Sequence, residues 1–357
     1  MKRQSSIELL RIVAIIGVII MHYCNGEIGG GMTYVDKGSV NEYIMRFIIV
    51  LFAFAVDLFF MISGYFMTYS YQRKIRKPLS LIIHVMLVKL VVYLAINFSA
   101  GTPIYIKSMI ASMIPANYFV IMYIVVFFLS PYINIVLDTL KNKEYKTFFI
   151  IVILIFSIWS TGVNLLNNMR GEAFEGLDTV GNWGNQSGYT IVNFIIMYII
   201  GATIRRYNVN EKIRTGTLCL AFSICLIANY LMMLVEARMT PVISSVSMAY
   251  CSPFVIAEAA AVFMVFLNIK IGSINIINKL SPGVFTAFLV HFYLLKFIGI
   301  DKMVNASSGI MILHIVFSST AIFLICVILH YIYNMITKPI FDLVFKKGDY
   351  TVIDIKK

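Results

Sequence analysis

A chain of 357 residues with 60% hydrophobic and 13% charged residues, and a mean hydropathy of +0.87, does not have the make-up of a soluble globular domain. The formal net charge of +12 raises the question of nucleic acid, but the cations fall in short segments between apolar stretches, where membrane topology demands them. The chain therefore reads as an all-α integral membrane protein in a lipid bilayer, with no nucleic-acid partner.

Apolar stretches able to cross about 30 Å of hydrocarbon recur along the whole length. Their expected bounds are 7–25, 43–70, 79–98, 116–137, 147–163, 188–205, 215–235, 243–268, 282–299 and 309–336, a polytopic bundle of about ten transmembrane helices. No A-x-A-like cleavage site follows the first stretch, so it is a span and not a secretory signal. With the N-terminus inside, roughly 20 Lys and Arg fall on the cytoplasmic side, among them Lys2, Arg3, Arg73, Lys74, Arg76, Lys77, Lys346, Lys347, Lys356 and Lys357, against about 7 on the other. Both termini are thus expected in the cytoplasm. Residues 1–340 are expected to form one transmembrane domain, and residues 341–357 a short basic cytoplasmic tail.

The first span holds Arg11 and His22. An Arg at a helix centre costs about 2.5 to 3.5 kcal/mol on insertion scales, so an intramembrane pair of this kind is a functional-site candidate by default. Eleven residues at about 100° each leave the two side chains within about 20° on one helix face and about 16 Å apart along the axis. Taken singly, His22 also suits an interfacial position, and Arg11 can snorkel to the nearer surface.

The second span carries Val56-Asp57-Leu58-Phe59-Phe60-Met61-Ile62-Ser63-Gly64-Tyr65. Asp57 is expected near the middle of a long helix, facing the protein interior toward a partner. Gly64 shares its face and admits a close neighbouring helix. The span is followed by Arg73, Lys74, Arg76, Lys77 and Pro78. Topology alone accounts for part of this cluster; its density also suits an anionic ligand from the cytosol.

Further along, His84 and Lys89 in the third span, Glu258 in the eighth and His291 in the ninth are candidates for lining a polar cavity, with buried pairing such as Lys89 to a carboxylate as the competing account. His314 and His330 read as structural. The longest outward loop is expected at 164–187, rich in Asn and Gly with Glu172, Glu175, Asp178 and Trp183; such groups hold carbohydrate, and they also make an ordinary solvated loop. Cys24, Cys219, Cys225, Cys251 and Cys326 show no paired spacing and read as small packing residues. No His or Cys spacing of a metal site, no phosphate-binding Gly loop and no GxSxG elbow is found, so no metal is expected.

The segment RIVAIIGVIIMHY, with ten residues between Arg11 and His22, then VDLFFMISGY, then RKIRKP, resembles the membrane-bound acyltransferase 3 family of bacterial envelope-modifying enzymes. Later segments agree in order: YFVIMY leading to LSPYIN, Gly188-Tyr189-Thr190, Gly201-Ala202-Thr203-Ile204-Arg205, Ser252-Pro253-Phe254, and Leu280-Ser281-Pro282 running to Leu289-Val290-His291. The likeness covers nearly the whole chain. The sequence departs after Pro78, where LSLIIH stands in place of bulky aromatics, and at Pro282.

What the resemblance implies is an O-acyltransferase of the bacterial plasma membrane that moves an acyl group, usually acetyl, from cytosolic acyl-CoA to a hydroxyl of a glycan or lipid-linked saccharide. The family's first-span pair falls on Arg11 and His22, and its cytoplasmic Arg-x-x-Arg on Arg73 and Arg76. The resulting expectation places His22, Arg11 and Asp57 in the catalytic set, with His22 as base or acyl carrier and Arg11 near the donor or paired with Asp57. Arg73, Arg76 and Lys77 are expected to bind the phosphates of acetyl-CoA. Self-association into a homo-oligomer is left open. The alternative is a secondary transporter or lipid-linked glycan flippase; against it, the chain shows no internal repeat and no matched pair of Gly/Pro-broken helices.

Overall fold

A computed structural model describes residues 4–174, 176–177, 180, 188–239, 245–345 and 350–355. The basic residues Lys2, Arg3, Lys346, Lys347, Lys356 and Lys357, and the loop residues Glu175, Asp178 and Trp183, lie outside the described residues. The helices in chain order are α1 Ser5–Cys24, α2 Gly31–Tyr34, α3 Val40–Phe52, α4 Ala55–Met67, α5 Arg76–Ala100, α6 Ile106–Ser112, α7 Tyr118–Thr139, α8 Asn142–Ile153, α9 Ser160–Arg170, α10 Ile191–Tyr207, α11 Val209–Lys212, α12 Thr215–Glu236, α13 Pro253–Asn268, α14 Asn275–Leu280, α15 Gly283–Leu295, α16 Ile300–Met303 and α17 Ser308–Val344. A π-helical stretch, Leu154–Trp159, joins α8 to α9. Among the described residues, two short strands, β1 Gln72–Lys74 and β2 Thr351–Asp354, are the exception to an all-α architecture.

Seven helical runs among the described residues are long and apolar enough to cross a membrane: Ser5–Cys24, Val40–Met67, Arg76–Ala100, Tyr118–Thr139, Asn142–Arg170, Thr215–Glu236 and Ser308–Val344. The chain is a multi-pass membrane protein. The other three expected spans correspond to α10, α13 and α15, of 17, 16 and 13 residues. At about 1.5 Å per residue these rise about 20 to 26 Å, less than the hydrocarbon thickness. Their side chains are largely buried: Phe194 to Ala202 of α10 contribute an almost unbroken buried run. Protein surrounds them, which relaxes the need for lipid-spanning length.

The second expected span is divided. Helix α3 stops at Phe52 and α4 begins at Ala55, so Asp57 sits in the first turn of α4 and not in mid-helix. Neither Pro nor Gly marks the break. The Phe52 ring occupies the space where a Cβ on Gly17 would sit, so the last turn of α3 is drawn onto the surface of α1 at that glycine.

The chain divides into two compact units. The first comprises Met1–Thr68 and Val136–His330, the second Tyr69–Ile135 and Tyr331–Lys357. In the first, α1 packs against α3, α4 and α15 with Leu10, Ile15, Ile19 and Tyr23 fully buried. Helices α4 and α10 cross at small residues: a Cβ on Gly64 would strike the Tyr198 carbonyl, and one on Gly201 the Met61 carbonyl. Only glycine lets the two backbones come this close. Phe60 and Phe194 stack beside the crossing at 4.1 Å.

In the second unit, α5 starts at the basic cluster with Pro78 in its first turn, where a missing N–H breaks no helical bond. It ends at Gly101 in the left-handed conformation, φ 63°. Strands β1 and β2 pair antiparallel, Gln72 opposite Asp354 and Arg73 opposite Ile353. The segment expected as a tail thus contains the end of α17 and a strand laid along the basic cluster.

Candidate active site

Helix α1 runs unbroken from Ser5 to Cys24, so Arg11 and His22 do share one helix. The last turn is closed by Asn25, whose N–H returns to the Met21 carbonyl, and the chain folds back so that the Gly29 N–H bonds the His22 carbonyl at 2.8 Å. The His22 ring lies against His291 of α15, centroids 5.2 Å apart and planes 27° apart, and against Phe292 at 4.6 Å. His291 is fully buried. Its Nδ1 donates to the Ala287 carbonyl at 2.7 Å, one turn back along α15. A carbonyl only accepts, so the neutral ring carries its proton on Nδ1 and keeps a lone pair on Nε2. His291 Nε2 and His22 Nδ1 are both buried without a hydrogen-bond partner. The next residue, the buried Tyr23, hydrogen-bonds through its hydroxyl with His314 Nδ1 at 2.8 Å.

Arg11 pairs with Glu8, 2.9 Å away and three residues earlier. The other Glu8 oxygen accepts from the Ser281 hydroxyl. Ser5 adds a second tie, donating to Asn278 at 3.1 Å and accepting from the Ile274 N–H at 2.8 Å. The base of α1 is therefore pinned to the 274–281 segment. Asp57 is fully buried, and its Oδ1 accepts from the Asn193 amide at 3.3 Å. The expected alternative pairing of Arg11 with Asp57 is thus corrected: a carboxylate on Arg11's own helix takes the guanidinium, and an amide on α10 meets the aspartate. Glu8 and Asn193 escaped the sequence reading. The (i, i+3) spacing of Glu8 and Arg11 was the available signal for the first; nothing local marks the second.

The second unit holds the basic cluster. Arg73, 2% exposed, donates from Nε to the Phe127 carbonyl at 2.8 Å and to the Ser130 hydroxyl, and from Nη1 to Ser70 and the Gln72 carbonyl. It also lies over the Phe127 ring, 5.2 Å from the centroid. Its donors tie β1 to α7, and a phosphate reaching Arg73 would have to displace these acceptors. Arg76 is 40% exposed and pairs with Asp342 at 2.6 Å. Lys77 is exposed, its ammonium 5.0 Å from the Tyr123 ring centroid. These two cations are accessible to an anion.

Among the secondary candidates, Lys89 donates to the Ile114 carbonyl at 2.9 Å, a backbone oxygen and not the carboxylate of the competing account. His84 stacks on Tyr333 at 3.6 Å, His330 meets Thr286 at 3.1 Å, and Glu258 accepts from Asn229 at 3.4 Å. Of this group only His291 joins His22. Among the described residues, no three His, Cys, Asp or Glu side chains converge on a metal-sized site.

A family model described as an acyltransferase domain matches residues 4–331 of the chain. No curated protein and no solved structure matches it.

Proposed function

The chain belongs to the acyltransferase 3 family, matched from residue 4 to residue 331, and from that premise we propose an O-acyltransferase that draws on cytosolic acyl-CoA. The acyl group is acetyl in the first instance, and it passes to a hydroxyl of a cell-envelope or exported polysaccharide in a bacterial plasma membrane. Membership makes this multi-pass protein an acyltransferase and sets the transporter alternative aside. The observation that supports the finer reading is the His22 and His291 pair, two stacked imidazoles with an unpartnered nitrogen on each.

In this reading His22 takes the proton of the acceptor hydroxyl as its oxygen attacks the thioester carbonyl; the C–S bond breaks and the thiolate departs. Imidazole has the basicity for that transfer near neutral pH. His291, its tautomer held by Ala287, positions the His22 ring. A relay through acyl-imidazole on His22 uses the same groups, and mass analysis of acid-quenched protein separates the two routes. Asp57, held by Asn193, acts from α4 as a supporting group, and Arg11 stands toward the donor end of α1.

The donor's phosphates suit Arg76 and Lys77, with Arg76 exchanging Asp342 for a phosphate in a charge-assisted bond. Arg73 holds β1 and α7 in place beneath them. Positive-inside asymmetry puts this cluster and both termini in the cytoplasm. Sealed vesicles of both orientations, given radiolabelled acetyl-CoA outside, test the reading: inside-out vesicles label polysaccharide, right-side-out ones do not, and Arg76→Ala raises the donor KM about tenfold, the scale of one lost charged hydrogen bond. Equal labelling from either side contradicts the proposed sidedness, and an unchanged KM removes Arg76 from the donor site.

A further inference from the structure

Among the buried polar atoms of the first unit with no hydrogen-bond partner, besides those of His22 and His291, are Asp57 Oδ2, Asn193 Oδ1, Ser157 Oγ, Thr161 Oγ1, Ser252 Oγ, and both Oδ1 and Nδ2 of Asn164; these six residues lie on segments that touch one another. All six residues are more than nine-tenths buried. An unsatisfied buried polar group costs about 1 to 3 kcal/mol, so a cluster of them marks a place built for something that supplies hydrogen bonds. The segments that bear them are joined in succession. Asp57 meets Asn193 at 3.3 Å; Phe60 stacks on Phe194, which faces Tyr250 at 6.4 Å; Gly188 lies on the backbone of Tyr250 and Cys251; and Cys251, next to Ser252, touches Ser160 of α9 at 3.6 Å.

Helix α9 and the π-helical turn before it are organised around this region. Ser157, Ser160, Thr161, Asn164, Asn167 and Asn168 are all buried, and their spacing of three and four places them on one face. Leu154, Ile158, Trp159, Leu166 and Met169 of the same run are exposed. In a candidate membrane span this is an inverted amphipathic helix, apolar outward and polar inward. A π-helical turn inside a helix often accompanies a functional site.

We infer that these residues line a binding chamber for a neutral, hydroxyl-rich moiety, the saccharide acceptor of the proposed acyl transfer; the assignment of the saccharide as acceptor rests on that reading. The unmet atoms include carbonyl and carboxylate oxygens that accept, an amide that donates, and hydroxyls that do both. A sugar hydroxyl also donates and accepts, and so matches the whole set. An anion does not fit, because none of the six residues is a cation and Asp57 brings a carboxylate. Tyr189 and Tyr250 pack on each other at the edge of this region, centroids 4.5 Å apart.

The test is equilibrium binding of radiolabelled methyl hexosides and methyl N-acetylhexosaminides to the full-length protein in phospholipid nanodiscs, with no acyl-CoA present. The wild type binds at least one of the panel. Asn164→Leu weakens that binding by about tenfold or more, as loss of two hydrogen bonds predicts, and Thr161→Val by a few fold, while both variants bind acetyl-CoA as the wild type does, which reports an intact fold. A wild type that binds no member of the panel overturns the inference, as do variants with unaltered affinity, which would leave a water-filled packing defect. Acetyl-CoA turnover on the same sample answers separately for the enzyme: turnover without glycoside binding sinks the chamber alone, whereas glycoside binding lost in both variants sustains the chamber even where no glycoside is acylated.

Discussion

The cost of a titratable group in an apolar helix marks His22 but not what faces it. The face is His291, whose Nδ1 is committed to the Ala287 carbonyl. Stacking by His291 can be separated from its ring nitrogens with His291→Phe, which keeps a ring against His22 and removes both Nδ1 and Nε2. The expected outcome is a fall in kcat of about 10- to 100-fold, below the roughly 100- to 10,000-fold worth of the general base itself because His291 only positions it, with the KM for acetyl-CoA unchanged. Wild-type kcat in His291→Phe would reduce His291 to a packing ring. The partners of Arg11 and Asp57 show the same limit. A charge inside a span announces that a partner exists; the i,i+3 spacing offers Glu8 for Arg11, while only packing brings Ser281 to Glu8 and Asn193 to Asp57.

At the scale of elements, long apolar runs were legible because hydropathy is additive along the chain, whereas their interruptions were not. The break at Ala53 and Phe54 has no Pro or Gly; at its edge the Phe52 ring lies over Gly17 on another helix, a contact no local sequence signal announces. The stretch from Asn164 reads as loop by composition, yet it continues α9 to Arg170, because its amides point into protein and not into lipid. Gly64, by contrast, was readable as a close-approach site: it admits the Tyr198 backbone of α10, while Gly201 of α10 admits the Met61 backbone of α4. Gly201→Leu therefore destabilises by about 3 kcal/mol or more, the upper range for overpacking, seen as a lowered Tm in detergent. Gly162→Ala in α9, where an added Cβ meets nothing within 4 Å, is neutral or stabilising by up to about 1 kcal/mol. Equal Tm for Gly201→Leu and wild type would contradict the close crossing.

For the whole molecule, composition settles the class and the Lys/Arg asymmetry supports a topology. The three shorter helices α10, α13 and α15 lie where hydropathy alone expects full spans, since a window average cannot distinguish a helix facing lipid from one enclosed by other helices. The topology is checked with single cysteines at Lys74 and Lys37, both exposed, in a variant with the native cysteines replaced. A membrane-impermeant maleimide added to intact cells modifies Lys37→Cys and spares Lys74→Cys until the membrane is opened. Modification of both from one side would invert or break the proposed arrangement.

The central claim is that His22 performs the transfer chemistry at the far end of the helix that carries Arg11. Inside-out vesicles bearing wild type or His22→Ala, given radiolabelled acetyl-CoA, test it most directly when label in polysaccharide and equilibrium binding of acetyl-CoA are measured on the same preparation. The account predicts that His22→Ala binds acetyl-CoA within about twofold of wild type and transfers at least about 100-fold more slowly, the scale of losing a general base. Transfer by His22→Ala at the wild-type rate would contradict it.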